Sequence, residues 1–169
     1  MFNKVLGAVA AAALTVLPVN ARLEEGTRDL VNLIDDSGIA VLINNKDCAD
    51  GKFLGLYRHN GMKRAFILCP GSTVDASDHM VVRHEAIHAI QHCVNVTRGT
   101  SVFTPVIQDT QELMAWVSQY LSPTEIEKIK SVYERSHWLI EFEAFAGMHA
   151  YTADQLAELF TQACLYTDA

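Results

Sequence analysis

The chain has 169 residues, half of them hydrophobic, and its 13 basic and 20 acidic residues give a formal net charge of −7 at pH 7. A nucleic-acid-binding domain would show a basic stripe, so this acidic balance argues against nucleic acid as a partner. The composition leaves the oligomeric state open.

The first 21 residues have the parts of a signal peptide. Lys4 supplies a positive charge, residues 5–17 form a short apolar run, and the segment ends at the small residue Ala21. The run is about 13 residues long, which is shorter than the roughly 20 needed to cross a bilayer. We therefore predict a secreted or periplasmic protein that is cleaved after Ala21 and is not held in a membrane afterwards. Residues 22–169 would form a single domain.

Beyond this segment the sequence predicts an α+β fold: a small antiparallel sheet, an active-site helix and a mostly helical C-terminal half. Asn60-Gly61 between two apolar runs is a hairpin signal, and Ser122 and Thr152 each begin a helix-capping pattern. The predicted elements are a helix over 22–36, strands over 39–43, 53–57 and 65–69, and helices within 74–97, over 110–121, from 122, over 138–150 and over 152–166.

Four cysteines remain after export, and an even number in an oxidising compartment favours two disulfides. Three pairings are possible. The favoured one joins Cys48 to Cys69 around the predicted hairpin, and Cys93 to Cys164 between the active-site helix and the last helix. A zinc site made of cysteines is disfavoured because the chain contains no CxxC pair.

The segment His84-Glu85-Ala86-Ile87-His88 has the HExxH pattern. Residues four apart lie on one face of a helix, so His84 and His88 can bind one Zn²⁺, while Glu85 is placed to take a proton from the attacking water. His92 lies eight residues beyond His84, a rise of about 12 Å, which is too far to share the same ion. A third ligand must therefore come from another element.

The downstream segment Trp138-Leu139-Ile140-Glu141-Phe142-Glu143-Ala144 resembles the glutamate helix of the gluzincin metallopeptidases. The metzincin and aspzincin patterns do not fit, because Val94 and Phe103 stand where those patterns need His and Asp. The resemblance implies a zincin-like fold in which Glu141 is the third zinc ligand and Ala144 lets the two helices approach. Glu143 is the alternative ligand, and the remaining carboxylate would orient His84 or His88 by a hydrogen bond.

The combination HExxHxxQ followed by Glu-x-Glu-Ala also resembles small uncharacterised metallopeptidases. These resemblances imply a zinc metallopeptidase that hydrolyses peptides or proteins through a zinc-bound water, with Glu85 as general base. The strand over 65–69 would pair with extended substrate. Candidates for stabilising the oxyanion flank the glutamate helix: Tyr133, His137, His149 and Tyr151. The alternative is a non-catalytic secreted domain that binds zinc or is stabilised by disulfides alone.

Overall fold

The structure, a computed structural model, describes residues 23–49, 51, 53–60, 63–70, 76–100 and 102–166. The predicted signal peptide lies outside these residues. In chain order the elements are α1 (Glu25–Asp36), β1 (Ala40–Ile43), β2 (Gly55–Asn60), β3 (Lys63–Leu68), α2 (Ala76–Thr97), α3 (Thr110–Val117), α4 (Pro123–Val132), α5 (Trp138–Ala150) and α6 (Ala153–Phe160). The α+β class is therefore confirmed.

The three strands form one sheet in the order β1-β3-β2. β2 and β3 pair antiparallel, as the hairpin signal predicts, with Tyr57 opposite Phe66. β1 pairs with β3 in parallel, so the sheet is mixed rather than wholly antiparallel. β1 and β2 lie at opposite edges of the sheet, and β3 lies between them.

The helices begin where the capping signals predict. Ser122 and Glu125 form a reciprocal capping box at the start of α4, and Thr152 and Gln155 form another at the start of α6. Each box satisfies backbone N–H groups that have no partner within the helix. After α6 the chain continues as a short π-helical turn at Thr161–Leu165.

Two hydrophobic clusters meet at α5. The larger one joins α1, the sheet, α2 and α6, and it includes Ala144 of α5; the smaller one joins α3, α4 and α5 around Phe142. The backbone of α5 comes so close to α2 that a Cβ on Gly147 would lie 2.4 Å from the side chain of Ile87. Close packing of α2 and α5 therefore brings the HExxH helix and the glutamate helix together.

Both predicted disulfides form. Cys48 is bonded to Cys69 beside the sheet, and Cys93 near the end of α2 is bonded to Cys164 in the π-helical turn. Disulfides persist in oxidising compartments, so these two bonds indicate an extracellular or equivalent environment. Among the described residues, no helix is long and apolar enough to cross a membrane.

Candidate metal centre

Three buried or nearly buried side chains converge between α2 and α5. The ring nitrogens His84 Nε2 and His88 Nε2 lie 3.1 Å apart, because the two residues are one helical turn apart on the same face. The carboxylate of Glu141 completes the group, with Oε2 3.4 Å from His84 Nε2 and Oε1 3.6 Å from His88 Nε2. These side chains could hold a metal ion.

The spacing of the donor atoms fits such an ion. In a tetrahedral zinc site with bonds of about 2.0–2.1 Å, any two ligand atoms are about 3.3 Å apart. The shortest separations between the three side chains, 3.1–3.6 Å, bracket that value, with a different carboxylate oxygen of Glu141 facing each histidine. Within the described part of the chain, Glu141 Oε2 is buried without a hydrogen-bond partner, and a bound cation would satisfy it.

The electrostatics of the group also favour a cation. Burial by itself would lower the pKa of His88, but the carboxylates of Glu141 and Glu85 outweigh it and raise that pKa to about 9. Burial would raise the pKa of Glu141, yet the neighbouring rings of His84 and His88 bring it down to about 2. Both shifts express an attraction for positive charge between these side chains.

Gln91 determines which nitrogen of His88 faces the group. Its amide Nε2 donates to the backbone carbonyl of Ile140 at 3.1 Å and to Glu143 Oε2 at 2.8 Å. Because both acceptors face that nitrogen, the amide oxygen faces His88 Nδ1, 2.8 Å away. In the neutral ring, the form that binds a metal, His88 Nδ1 must then carry the proton, which leaves the lone pair of Nε2 directed at the other two side chains.

Glu143 is buried and faces away from the three converging donors. Its carboxylate accepts hydrogen bonds from Gln91 and from the backbone N–H groups of Val106 at 2.7 Å and Ile107 at 2.9 Å. Burial raises the pKa of Glu143, and these three donors oppose the shift. The structure therefore brings Glu141 to the two histidines, whereas Glu143 reaches His88 only through Gln91 and not by a direct hydrogen bond.

Glu85 lies between α2 and the edge strand β2. Its Oε2 accepts a hydrogen bond from the backbone N–H of Tyr57 at 2.6 Å. A Cβ on Gly55 would lie 2.8 Å from Glu85 Cγ, so glycine is needed for this close approach. Burial raises the pKa of Glu85, and the charges of His84 and His88 oppose the shift.

The strand that borders the site is β2, and the expectation that residues 65–69 would pair with substrate is wrong. Those residues belong mainly to β3, which is the central strand and has a neighbour on each side. The apolar runs predicted three strands but did not determine their order. Since β1 takes the other side of β3, β2 is left as the edge next to Glu85.

The surroundings of His84 differ from those of His88. The ring of Phe145 packs edge-on against His84, with the ring centroids 4.4 Å apart. In the described part of the chain, the buried Nδ1 of His84 has no hydrogen-bond partner. Packing therefore positions the Nδ1 side of the His84 ring, whereas Nδ1 of His88 is hydrogen-bonded to Gln91.

Tyr133 lies beside Glu141, and burial together with the charges of Glu141 and Glu85 raises the pKa of its hydroxyl. It is thus a protonated donor next to the three converging side chains. Among the other candidates for oxyanion stabilisation, His137 and His149 are exposed and Tyr151 stacks on Trp116.

His92 does not join the group, as its position along the helix predicts, and its side chain is buried. Its Nδ1 is 2.6 Å from the hydroxyl of Tyr57, and its ring stacks on His59 with centroids 4.1 Å apart. Burial and the charges of His59 and Arg64 lower the pKa of His92 to about 4. No pattern in the sequence indicates these contacts, because they depend on the position of β2.

Comparison of the chain with protein-family models, with curated proteins and with solved structures found no match. The assignment of the site rests on its own residues and geometry.

Proposed function

We propose that this chain is an exported zinc metallopeptidase in which His84, His88 and Glu141 bind the metal and Glu85 is the general base. The observation that carries the proposal is the convergence of His84, His88 and Glu141, whose nearest ligand atoms are 3.1–3.6 Å apart. Glu85 follows His84 directly in the chain. Two imidazoles and one carboxylate are a donor set of catalytic zinc sites, which keep a further position for water or substrate.

When bound, zinc would supply a Lewis acid that polarises the carbonyl of the scissile bond and makes the attacking water more acidic. Glu85 takes one proton from that water as its oxygen forms a bond to the carbonyl carbon. Glu85 then delivers this proton to the leaving nitrogen as the carbon–nitrogen bond breaks. The hydrogen bond from the backbone of Tyr57 to Oε2 fixes the carboxylate for both transfers.

Tyr133 is the side chain that we assign to the oxygen of the substrate carbonyl. Negative charge develops on that oxygen during the attack, and a fixed hydroxyl donor stabilises it. Tyr133 is half-buried and lies beside Glu141, so its hydroxyl is close to the metal ligands.

The edge strand β2 is the proposed docking site for extended substrate. Backbone groups of an edge strand alternate between the neighbouring strand and the open side. Tyr57 directs its N–H to Glu85 and therefore away from β3. A peptide aligned along this edge would lie next to the general base, and main-chain hydrogen bonds would provide much of its affinity.

Secretion or export to the periplasm completes the proposal. The two disulfides support an oxidising compartment. The charged and apolar start of the sequence, with Ala21 at its end, supports a cleaved signal peptide.

The test compares the mature chain with its Glu85→Gln variant. Zinc content and cleavage of a denatured protein mixture are measured for both proteins, since the amide oxygen of the introduced glutamine can still accept the hydrogen bond from Tyr57. We expect about one zinc per chain in each protein and a fall in cleavage of about 10²–10⁴-fold in the variant, the usual contribution of a general base.

Bound zinc without cleavage by either protein would support the alternative of a non-catalytic zinc-binding domain. Absence of zinc from the wild-type chain would overturn the metal site itself. An unchanged melting temperature after strong chelation would then support a domain stabilised by its disulfides alone.

A further inference from the structure

A groove of about 440 Å³ lies beside the candidate metal centre. We call it the Phe103 groove and define it by the lining residues His59, His92, Val96, Val102 and Phe103. The ring of Phe103 is 6.0 Å from that of the metal-ligand candidate His88. Because one extended residue spans about 3.3–3.6 Å, the groove is within one or two residues of a peptide bond held at the centre.

The walls of the groove combine rings and exposed aliphatic side chains with the polar residues Asn95 and Thr100. Phe103 packs against His59 with a centroid distance of 5.6 Å, and His59 stacks on His92. Val96 and Val102 are 62% and 64% exposed, and both line the same groove. Large apolar side chains exposed together in a groove are typical of binding sites.

His92 contributes an uncharged ring to the groove. Burial, aided by the charges of His59 and Arg64, lowers the pKa of His92 to about 4, so its ring is neutral at neutral pH. Nδ1 of His92 is hydrogen-bonded to the hydroxyl of Tyr57, and one face of the His92 ring is stacked on His59. The stacked rings of His59 and His92 therefore form a flat wall beside Phe103.

We propose that the Phe103 groove binds an aromatic side chain of the substrate, next to the bond that is cleaved. This inference rests on the proposed peptidase function and specifies its substrate class: peptides with Phe, Tyr or Trp at one position flanking the scissile bond. Rings pack edge-to-face or offset on the rings of Phe103 and His59, which gives an aromatic side chain an advantage beyond the area that it buries.

The experiment uses blocked peptides that differ only at the two positions flanking the cleaved bond, where Phe, Leu, Ala or Asp is placed. For the wild-type chain we expect kcat/KM to be about 10–100-fold higher for Phe than for Ala at one of the two positions. Val102→Asp should remove most of that preference, measured as the ratio of kcat/KM for the Phe peptide to kcat/KM for the Ala peptide. Phe103→Ala should act in the same direction, and Phe103→Leu should retain part of the preference.

Tyr166→Ala is the matched control, because it removes a ring that is 75% exposed and lies outside the groove. It should behave as the wild-type chain. Circular dichroism establishes that each variant is folded, and Val102 is exposed enough for the aspartate to be tolerated.

A second readout does not depend on turnover. The Glu85→Gln variant, with and without Val102→Asp, is titrated with the Phe and Ala peptides by calorimetry. We expect the Phe peptide to bind at least about tenfold more tightly, and Val102→Asp to remove the difference.

Two results would overturn the groove proposal without affecting the proposed peptidase function. One is cleavage by the wild-type chain without a preference for Phe. The other is a preference that persists in both Val102→Asp and Phe103→Ala. A preference for Asp peptides would also overturn it, in favour of an acidic substrate. If no peptide is cleaved, the peptidase function fails, and equal binding of the Phe and Ala peptides would overturn the groove as well.

Discussion

His88 and His92 are the same residue type, one turn apart on the same face of α2, and they lie in opposite electrostatic environments. At His88 the carboxylates of Glu141 and Glu85 outweigh burial and raise the pKa to about 9. At His92 burial acts together with the charges of His59 and Arg64, and the pKa falls to about 4. The surroundings of His88 therefore attract positive charge, and those of His92 disfavour it.

The difference arises from what packs against each turn. α5 crosses α2 at His84 and His88 and supplies Glu141, whereas β2 supplies Tyr57 and His59 at His92. The four-residue spacing of the three histidines is uniform and does not distinguish them. A histidine becomes a candidate metal ligand here because of the carboxylate that another helix brings to it.

The strongest test of this difference removes the carboxylate of Glu141 on α5. Glu141→Gln keeps the size of the side chain but removes its charge, so zinc affinity should fall by more than about 100-fold, which is the upper end of the usual loss for a partner of a ligand. The metal-free protein should also lose stability at neutral pH, because the lowered pKa of Glu141 reflects its attraction to the two histidine rings. A competition titration with a chromophoric chelator measures the affinity, and denaturant unfolding measures the stability.

Glu143→Gln is the matched control, two residues along the same helix. Glu143 accepts from Gln91, Val106 and Ile107, and an amide oxygen cannot satisfy all three donors as a carboxylate does. We expect a loss of about 1–3 kcal/mol in the free energy of unfolding and a smaller loss of zinc affinity than in Glu141→Gln. The reverse pattern, with zinc lost only from Glu143→Gln, would make Glu143 the ligand.

Gln91→Leu tests the hydrogen bonds that distinguish His88 from His84. It removes the acceptor that fixes the tautomer of His88, so zinc affinity should fall by about 10–100-fold. Phe145→Leu is the counterpart on the other histidine, because Phe145 contacts His84 through packing alone. Its zinc affinity should stay within a few-fold of the wild-type value. Equal losses in both variants would show that packing positions the two rings equally.

Much of the fold could be predicted from the sequence, because local signals encode it. The capping residues Ser122 and Thr152 begin helices where predicted, and the pairing of Cys48 with Cys69 follows from their positions around the hairpin. The convergence of His84 and His88 follows from helical spacing. These features require only neighbouring residues or a single element.

The features that the sequence did not predict depend on how separate elements meet. β2 is the edge strand beside Glu85 because the strands lie in the order β1-β3-β2. The pattern of apolar residues predicts the strands but not their order in the sheet. The resemblance favoured Glu141, but spacing alone left Glu143 open, since both carboxylates are followed by alanine three residues later. The rotation of α5 against α2 determines which of the two faces the histidines. The role of Tyr57 as a donor to Glu85 involves only its backbone, which any residue other than proline could supply.

The smallest effect that we expect at neutral pH is that of replacing His92, the histidine with the lowered pKa. His92→Gln keeps an acceptor for the hydroxyl of Tyr57 but removes the titratable ring. Histidine in an unfolded chain has a pKa of about 6.5, whereas in the folded protein the pKa of His92 is about 4. Between these values the unfolded chain binds more protons at this position, so His92 lowers the stability of the wild-type protein as the pH falls.

In metal-free samples, the melting temperature of the variant relative to wild type should therefore rise as the pH is lowered from 7 to 4.5 and stay constant above pH 7. Parallel curves over the whole range would mean that His92 accepts a proton in the folded state as readily as His in an unfolded chain, and the contrast with His88 would then be lost.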